Sequence, residues 1–194
     1  MIQGLLLAAG NSTRFGGQKL LKRLPNGQSI AMTSALGLRH FVDRITVIVN
    51  PDHQAMINLF MGERISLVPC AQSKYGVGHS IACGVSATKD AEGWVIALAD
   101  MPFIKSTTMA AVAKALKDGA LIAAPVCGAK RGHPVGFSQK LYRELVQLKG
   151  DIGGQDLLRL HLSDMVEVPC QDPGIFIDID TPEELEKYSR QCNH

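Results

Sequence analysis

Short, nearly continuous apolar runs alternate along this chain with longer stretches in which apolar residues recur at helical spacing, and that alternation predicts an α/β protein. The runs that read as strands cover residues 4–9, 44–50, 65–69, 94–100, 121–126, 165–168 and 175–180. Four of them, at Leu5-Leu6-Leu7-Ala8, Ile45-Thr46-Val47-Ile48-Val49, Val95-Ile96-Ala97-Leu98-Ala99 and Leu121-Ile122-Ala123-Ala124, have almost no polar break. Parallel strands covered on both faces have that pattern. Helices are predicted over 29–41, 53–61, 79–88, 107–117, 139–148, 154–162 and 182–191. The last opens on Thr181-Pro182-Glu183-Glu184, which offers an N-cap hydroxyl, a proline at the first helical position and a glutamate placed to close a capping box. No internal repeat, low-complexity tract or Pro/Gly/Ser-rich linker divides the chain. The expected architecture is a single domain over residues 1–194, a mostly parallel, doubly wound sheet flanked by helices, with ligands at the C-terminal ends of its strands.

Composition narrows the class. The 194 residues are 46% hydrophobic and 20% charged. A chain of this length buries about 70% of the surface its unfolded form exposes, so neither disulfide nor metal is needed to hold it together. Lys and Arg number 20 against 18 Asp and Glu, a net charge of +2, and no basic arm suggests nucleic acid as a partner. Aromatic residues are only 5%, too few for a base-stacking platform. Five cysteines with no C-x-x-C pair support neither a disulfide framework nor a zinc site. No apolar run nears the ~20 residues that span a bilayer, and the first residues carry no basic signal-peptide region, so a cytoplasmic protein without a membrane partner is expected.

The first strand runs into Ala8-Ala9-Gly10-Asn11-Ser12-Thr13-Arg14-Phe15-Gly16-Gly17-Gln18-Lys19, a small, polar loop with two cations. Glycines and small residues let backbone N–H groups approach an anion, Arg14 can fork two phosphate oxygens and Lys19 can act as a point charge. Five residues separate Gly10 from Gly16 and Leu20 follows Lys19, so the loop is not G-x-x-x-x-G-K-[ST]; G-x-G-x-x-G fails as well. A glycine-rich surface turn with two solvated cations would look similar. Its place after an apolar N-terminal strand in an α/β pattern favours phosphate binding.

The segment Leu7-Ala8-Ala9-Gly10-x-Ser12-x-Arg14-Phe15-Gly16-x-x-Lys19-Leu20-Leu21 resembles the signature of the GT-A-like, MobA/MocA-type nucleotidyltransferases that build the molybdenum cofactor, and is closest to the molybdenum cofactor cytidylyltransferase family. The related guanylyltransferases usually show L-A-G-G and R-M-G-G-x-D-K, where this chain has Ala9, Phe15 and Gln18. Further matches follow in the family's order: Ala99-Asp100-Met101-Pro102, Gly132-His133-Pro134, Gly150-Asp151-Ile152-Gly153 and Asp178-Ile179-Asp180-Thr181-Pro182-Glu183. The resemblance implies CMP transfer from CTP to the terminal phosphate of molybdopterin with loss of pyrophosphate. It also implies magnesium as cofactor and a recipient molybdoenzyme or its chaperone as a partner for the product.

Asp100 closes the fourth apolar run, so its carboxylate belongs at the sheet's C-terminal edge. There it can anchor magnesium, which takes one or two protein carboxylates and completes its shell with phosphate and water, or it can cap the turn before Pro102. The resemblance favours the metal. In 175–180, alternation puts Asp178 and Asp180 on one face; Asp178 is the preferred second metal contact because Asp180 adjoins the start of the last helix. By resemblance, Leu7, Ala8, Ala9, Gly10, Arg14 and Lys19 hold the nucleotide, Gly76 and Ser80 meet its base, and His133 and Asp151 line the molybdopterin side. Arg14, Lys19 and Asp100 form the catalytic set, while Lys22 and Arg23 read as solvated loop cations. Guanylyl transfer, cytidylyl transfer to a sugar or polyol phosphate, and a non-catalytic cofactor-insertion chaperone are the competing readings.

Overall fold

The computed structural model describes residues 1–10, 18–151 and 154–191. Among them the strands are β1 (Ile2–Leu7), β2 (Arg44–Val49), β3 (Ser66–Pro69), β4 (Gly93–Leu98), β5 (Ile122–Cys127), β6 (Lys130–Arg131), β7 (Val135–Ser138) and β8 (Met165–Pro169). They form one sheet in the order β3-β2-β1-β4-β7-β5-β6, with β8 also paired to β5. Pairs β1–β2, β1–β4, β2–β3 and β5–β8 are parallel. The helices are α1 (Ile30–Arg39), α2 (Gln54–Phe60), α3 (Val77–Ala87), α4 (Ser106–Lys117), α5 (Tyr142–Leu145), α6 (Gln155–Leu160) and α7 (Pro182–Gln191).

The pleat sorts β1 between two cores. Leu6 joins the cluster under α1, α2 and α4, whereas Leu5 and Leu7 join the one under α3, α5 and α6. Both faces are therefore covered, and Leu5 and Leu6 are fully buried. Local signals set several boundaries. Ser29 caps α1 by accepting the Met32 N–H at 3.2 Å. At α7, Thr181 Oγ1 accepts the Glu184 N–H at 3.2 Å while Glu184 Oε2 accepts the N–H groups of Thr181 and Asp180 at 3.0 and 2.8 Å. The capping box therefore also holds the backbone of Asp180.

Three sequence-based expectations need correction. Residues 175–180 are not a strand: Pro173–Phe176 form a 3-10 turn opened by Asp172, whose side chain accepts the Gly174 N–H at 3.0 Å. Among the described residues no strand pairs with this segment. The Ile175 carbonyl accepts from His133 N–H at 3.1 Å and Ile179 N–H donates to the Asp100 carbonyl at 3.0 Å, so loop contacts replace a ladder. Second, an unforeseen strand, β7, lies antiparallel between β4 and β5. Its Gly136 hides the strand pattern and has a packing reason, since a Cβ there would stand 2.9 Å from the Leu116 side chain of α4. The helix expected over 139–148 shortens to a 3-10 turn at Gln139–Leu141 followed by α5.

Candidate active site

The connection β1–α1–β2 leads away from β1 on one side, and α3 returns the chain to β4 on the other, so the strand order reverses between β1 and β4. Doubly wound sheets bind ligands at such a crevice. Leu7 pairs with Leu98, and Ala99 N–H donates to the Leu7 carbonyl at 3.1 Å, which brings the chain after both strands to the same edge. Ala8, Ala9 and Gly10 follow β1; Arg14 lies outside the described residues, and Asp100 follows β4. The Ser34 hydroxyl of α1 donates to the Ala99 carbonyl at 2.9 Å, and Ile179 holds the Asp100 carbonyl from the other side.

Lys19, in a 3-10 turn at Lys19–Leu21, points into this corner. Its ammonium donates to Asp100 at 2.9 Å and to Asp180 at 2.8 Å, with only 9% of the side chain exposed. Burial alone would lower the Lys19 pKa, but the charge of Asp100, with that of Asp180 and hydrogen bonds to both carboxylates, holds it above the ordinary value of 10.5. Lys19 is therefore a fixed positive charge. The two aspartates come from chain segments 80 residues apart, and the α7 capping box places the second of them. Asp178 is exposed, and its negative charge acts on His133.

Two cavities open from this edge. One, of about 360 Å³, is bordered by Ala9, Gly10, Ser73, Gly76, Ser80 and Asp100. The other, of about 610 Å³, has a largely apolar floor that includes Leu7, Ile96, Val135 and Phe137, and carries His133, Gln155, Arg131 and Arg159. Leu7, Val77, Leu98 and Asp151 border both, so the cavities meet at the end of β1 and β4. Ala8 lies in the apolar core and borders neither. Ser73, Gln155, Arg131 and Arg159 had no sequence signal beyond their polarity.

Close backbone approach builds the shared wall. Gly78 N–H donates to the Gly150 carbonyl at 2.9 Å, seating the 149–151 loop on the start of α3. Gly76 has φ +121°, and a Cβ on it would stand 2.2 Å from the Gly150 carbonyl carbon. This contact sets Asp151 at the junction. Farther along α3, burial and the neighbouring Cys70 push the thiol pKa of Cys83 up to about 12, so Cys83 offers no thiolate at neutral pH.

His133 follows Gly132, where a Cβ would stand 2.4 Å from the Ile175 carbonyl oxygen. Its Nδ1 is buried without a hydrogen-bond partner among the described residues. Burial lowers its pKa below the ordinary 6.5, outweighing the opposing pull of Asp100 and Asp178, so the ring is neutral at pH 7. As pH falls, the unfolded chain takes up this proton before the folded chain does. The neutral ring thus contributes stability that is complete above pH 6.5 and is lost progressively below it. His133→Gln is expected to lose less stability than wild type on acidification through that window, read as urea midpoints at a series of pH values; parallel curves would contradict a buried neutral imidazole.

Residues 4–166 match the family model described as MobA-like NTP transferase domain. Across 201 aligned positions, 96% of this chain and 95% of the relative, the sequence is 32% identical to Purine catabolism protein PucB of Bacillus subtilis (strain 168). Among solved structures, a homologue from Mycobacterium sp. strain JC1 of a Mycobacterium tuberculosis protein superposes with a TM-score of 0.83 at 22% identity, covering 98% of this chain and 96% of that one. The Mycobacterium tuberculosis protein complexed with manganese gives 0.75 at 21% identity, covering 97% and 98%. Molybdopterin-guanine dinucleotide biosynthesis protein A from Archaeoglobus fulgidus gives 0.71 at 18% identity, covering 98% of each chain. These structural likenesses bear on the fold, which is common to all three. No helix among the described residues is long and apolar enough to cross a membrane.

Proposed function

The chain belongs to the MobA-like NTP transferase family, and from that premise we propose that it transfers CMP from CTP to the terminal phosphate of molybdopterin and releases pyrophosphate. The observation that supports the transfer is the cluster of Lys19 with Asp100 and Asp180, of which Asp100 borders the smaller cavity two residues beyond Leu98, which borders both. A nucleotide in the smaller cavity and a phosphorylated acceptor in the larger would then meet beside one group of fixed charges. The attacking phosphate is already an anion, so no general base is needed. The protein's task is to align two mutually repelling anions and to stabilise charge during in-line displacement.

The donor set suits a divalent cation such as magnesium. Asp100 and Asp180 supply hard carboxylate oxygens that already gather around one positive charge. Among the described residues no three His, Cys, Asp or Glu side chains cluster as a self-sufficient metal cage. Two carboxylates with substrate phosphates are the usual magnesium arrangement, and we assign the second to Asp180, which reaches the Lys19 corner, in preference to Asp178. When bound, such a cation neutralises phosphate charge and polarises the reacting phosphoryl group. Lys19 and Arg14 serve the triphosphate, with the 9–10 backbone against it and Gly76 and Ser80 toward the base. His133 and Asp151 face the acceptor, and Asp151, bordering both cavities, lies where the two substrates approach.

Ala9, Phe15 and Gln18 support cytidylyl over guanylyl transfer, while the likeness to a molybdopterin-guanine dinucleotide protein keeps the guanylyl reading as the alternative. With magnesium and molybdopterin present, CTP is expected to yield pyrophosphate with kcat/KM about 10²-fold above GTP. Consumption of GTP alone would overturn the cytidylyl assignment and leave nucleotidyl transfer standing. Consumption of neither would remove molybdopterin as the acceptor.

A further inference from the structure

We infer that Lys19 is an internal counter-ion of the cation site: in the nucleotide-free chain its ammonium bridges Asp100 and Asp180, and a divalent cation gains both carboxylates only when a triphosphate draws Lys19 away. This rests on the nucleotidyltransferase reading above and deepens it. Nζ donates to Asp100 Oδ2 at 2.9 Å and to Asp180 Oδ1 at 2.8 Å, so one oxygen of each carboxylate assigned to the cation is already engaged. The ammonium also belongs to the most enclosed of the three side chains. Lys19 is 9% exposed, against 26% for Asp100 and 32% for Asp180.

Positive groups gathered at one pair of partly buried carboxylates repel each other strongly, because water screens them little there. Lys19 must therefore withdraw as a cation enters, and a buried ammonium stripped of its carboxylates needs another anion. The triphosphate supplies it. Asp100 borders the 360 Å³ cavity together with Ala9 and Gly10, so a nucleotide seated there brings its phosphates beside the Lys19 ammonium. The turn under Lys19 is fixed, since Leu21 N–H donates to the Gln18 carbonyl and Lys22 N–H to the Lys19 carbonyl, both at 3.0 Å. The flexible four-carbon stem of lysine then lets the charge pass from carboxylate to phosphate while the backbone stays in place. Cation and nucleotide are thereby linked, each raising affinity for the other by the same factor.

The probe is manganese(II) alone, added to the nucleotide-free chain, with unbound ion read from its EPR signal. Lys19→Gln, neutral and still able to donate a hydrogen bond, is expected to bind manganese with a Kd about 10-fold below that of wild type. Lys19→Met removes the hydrogen bonds as well and should gain as much, so the result does not depend on one variant folding. Lys19→Arg keeps the charge and should stay within about threefold of wild type. Adding Asp100→Asn to Lys19→Gln should abolish the gain, which assigns the bound ion to these carboxylates. Manganese binding by the two neutral variants no tighter than wild type, an equal gain in Lys19→Arg, or a gain that survives Asp100→Asn would each overturn the inference. A wild-type chain that binds no nucleoside triphosphate would instead remove the nucleotidyltransferase reading itself.

Discussion

Asp100→Asn is expected to lower kcat for pyrophosphate release by about 10³-fold, equivalent to about 4 kcal/mol of transition-state stabilisation. The substitution keeps the side chain's shape and removes only its charge. Two consequences are separable. The cation site loses one of its two carboxylates, which reduces the charge stabilisation available at the phosphoryl group. Lys19 loses one of two counter-charges but keeps Asp180 at 2.8 Å, so the ammonium is not stranded and the fold should persist. Asp180→Asn is expected to cost about 10²-fold in kcat by the same logic, and Asp178→Asn, at an exposed position outside the Lys19 contact, less than 10-fold. Steady-state kinetics of the three variants, with unfolding midpoints measured alongside, check the order. Asp178→Asn as the most damaging of the three would return the second metal contact to that residue.

Gly76→Ala is expected to destabilise the chain by about 3 kcal/mol or more, and to raise KM for nucleotide and acceptor together. Its backbone, at φ +121° and ψ 165°, lies in a region only glycine occupies readily, which by itself costs about 1–3 kcal/mol for alanine. The new Cβ would also stand 2.2 Å from the Gly150 carbonyl carbon and 2.6 Å from the Asp151 nitrogen. Those are backbone atoms, so relief requires moving the loop that places Asp151 between the cavities. Gly128→Ala separates the two costs, because Gly128 has φ +64° with nothing within 4 Å of its added Cβ. That variant should lose only about 1 kcal/mol and leave both KM values unchanged. Equal urea midpoints for the two variants would mean that close approach to Gly150 is not what Gly76 supplies.

The parts of the fold that local physics dictates were legible in the sequence. β1, β2, β4 and β5 announce themselves because strands covered on both faces must be apolar nearly throughout. The start of α7 was legible because a capping box is closed by neighbours in the chain. β7 was not, since Gly136 interrupts its alternation for the sake of α4 packing. Residues 175–180 failed in the opposite way. Their isoleucine alternation is real, with Ile175 and Ile179 buried, but alternation reports burial and cannot say whether a neighbouring strand supplies a ladder. At the site, the roles of Lys19 and Asp100 came from the family resemblance, and only the place of Asp100 at the sheet's C-terminal edge could be read from strand-end position. The choice between Asp178 and Asp180 could not, because both share a face and only the tertiary contact with Lys19 separates them.

Transfer of label from α-³²P-CTP tests the central claim most directly. With magnesium and molybdopterin, the account expects the ³²P to appear in a molybdopterin-bound product, with one pyrophosphate released per label transferred. Label retained in CDP or CMP without entering the acceptor, or release of inorganic phosphate in place of pyrophosphate, would contradict nucleotidyl transfer to that acceptor.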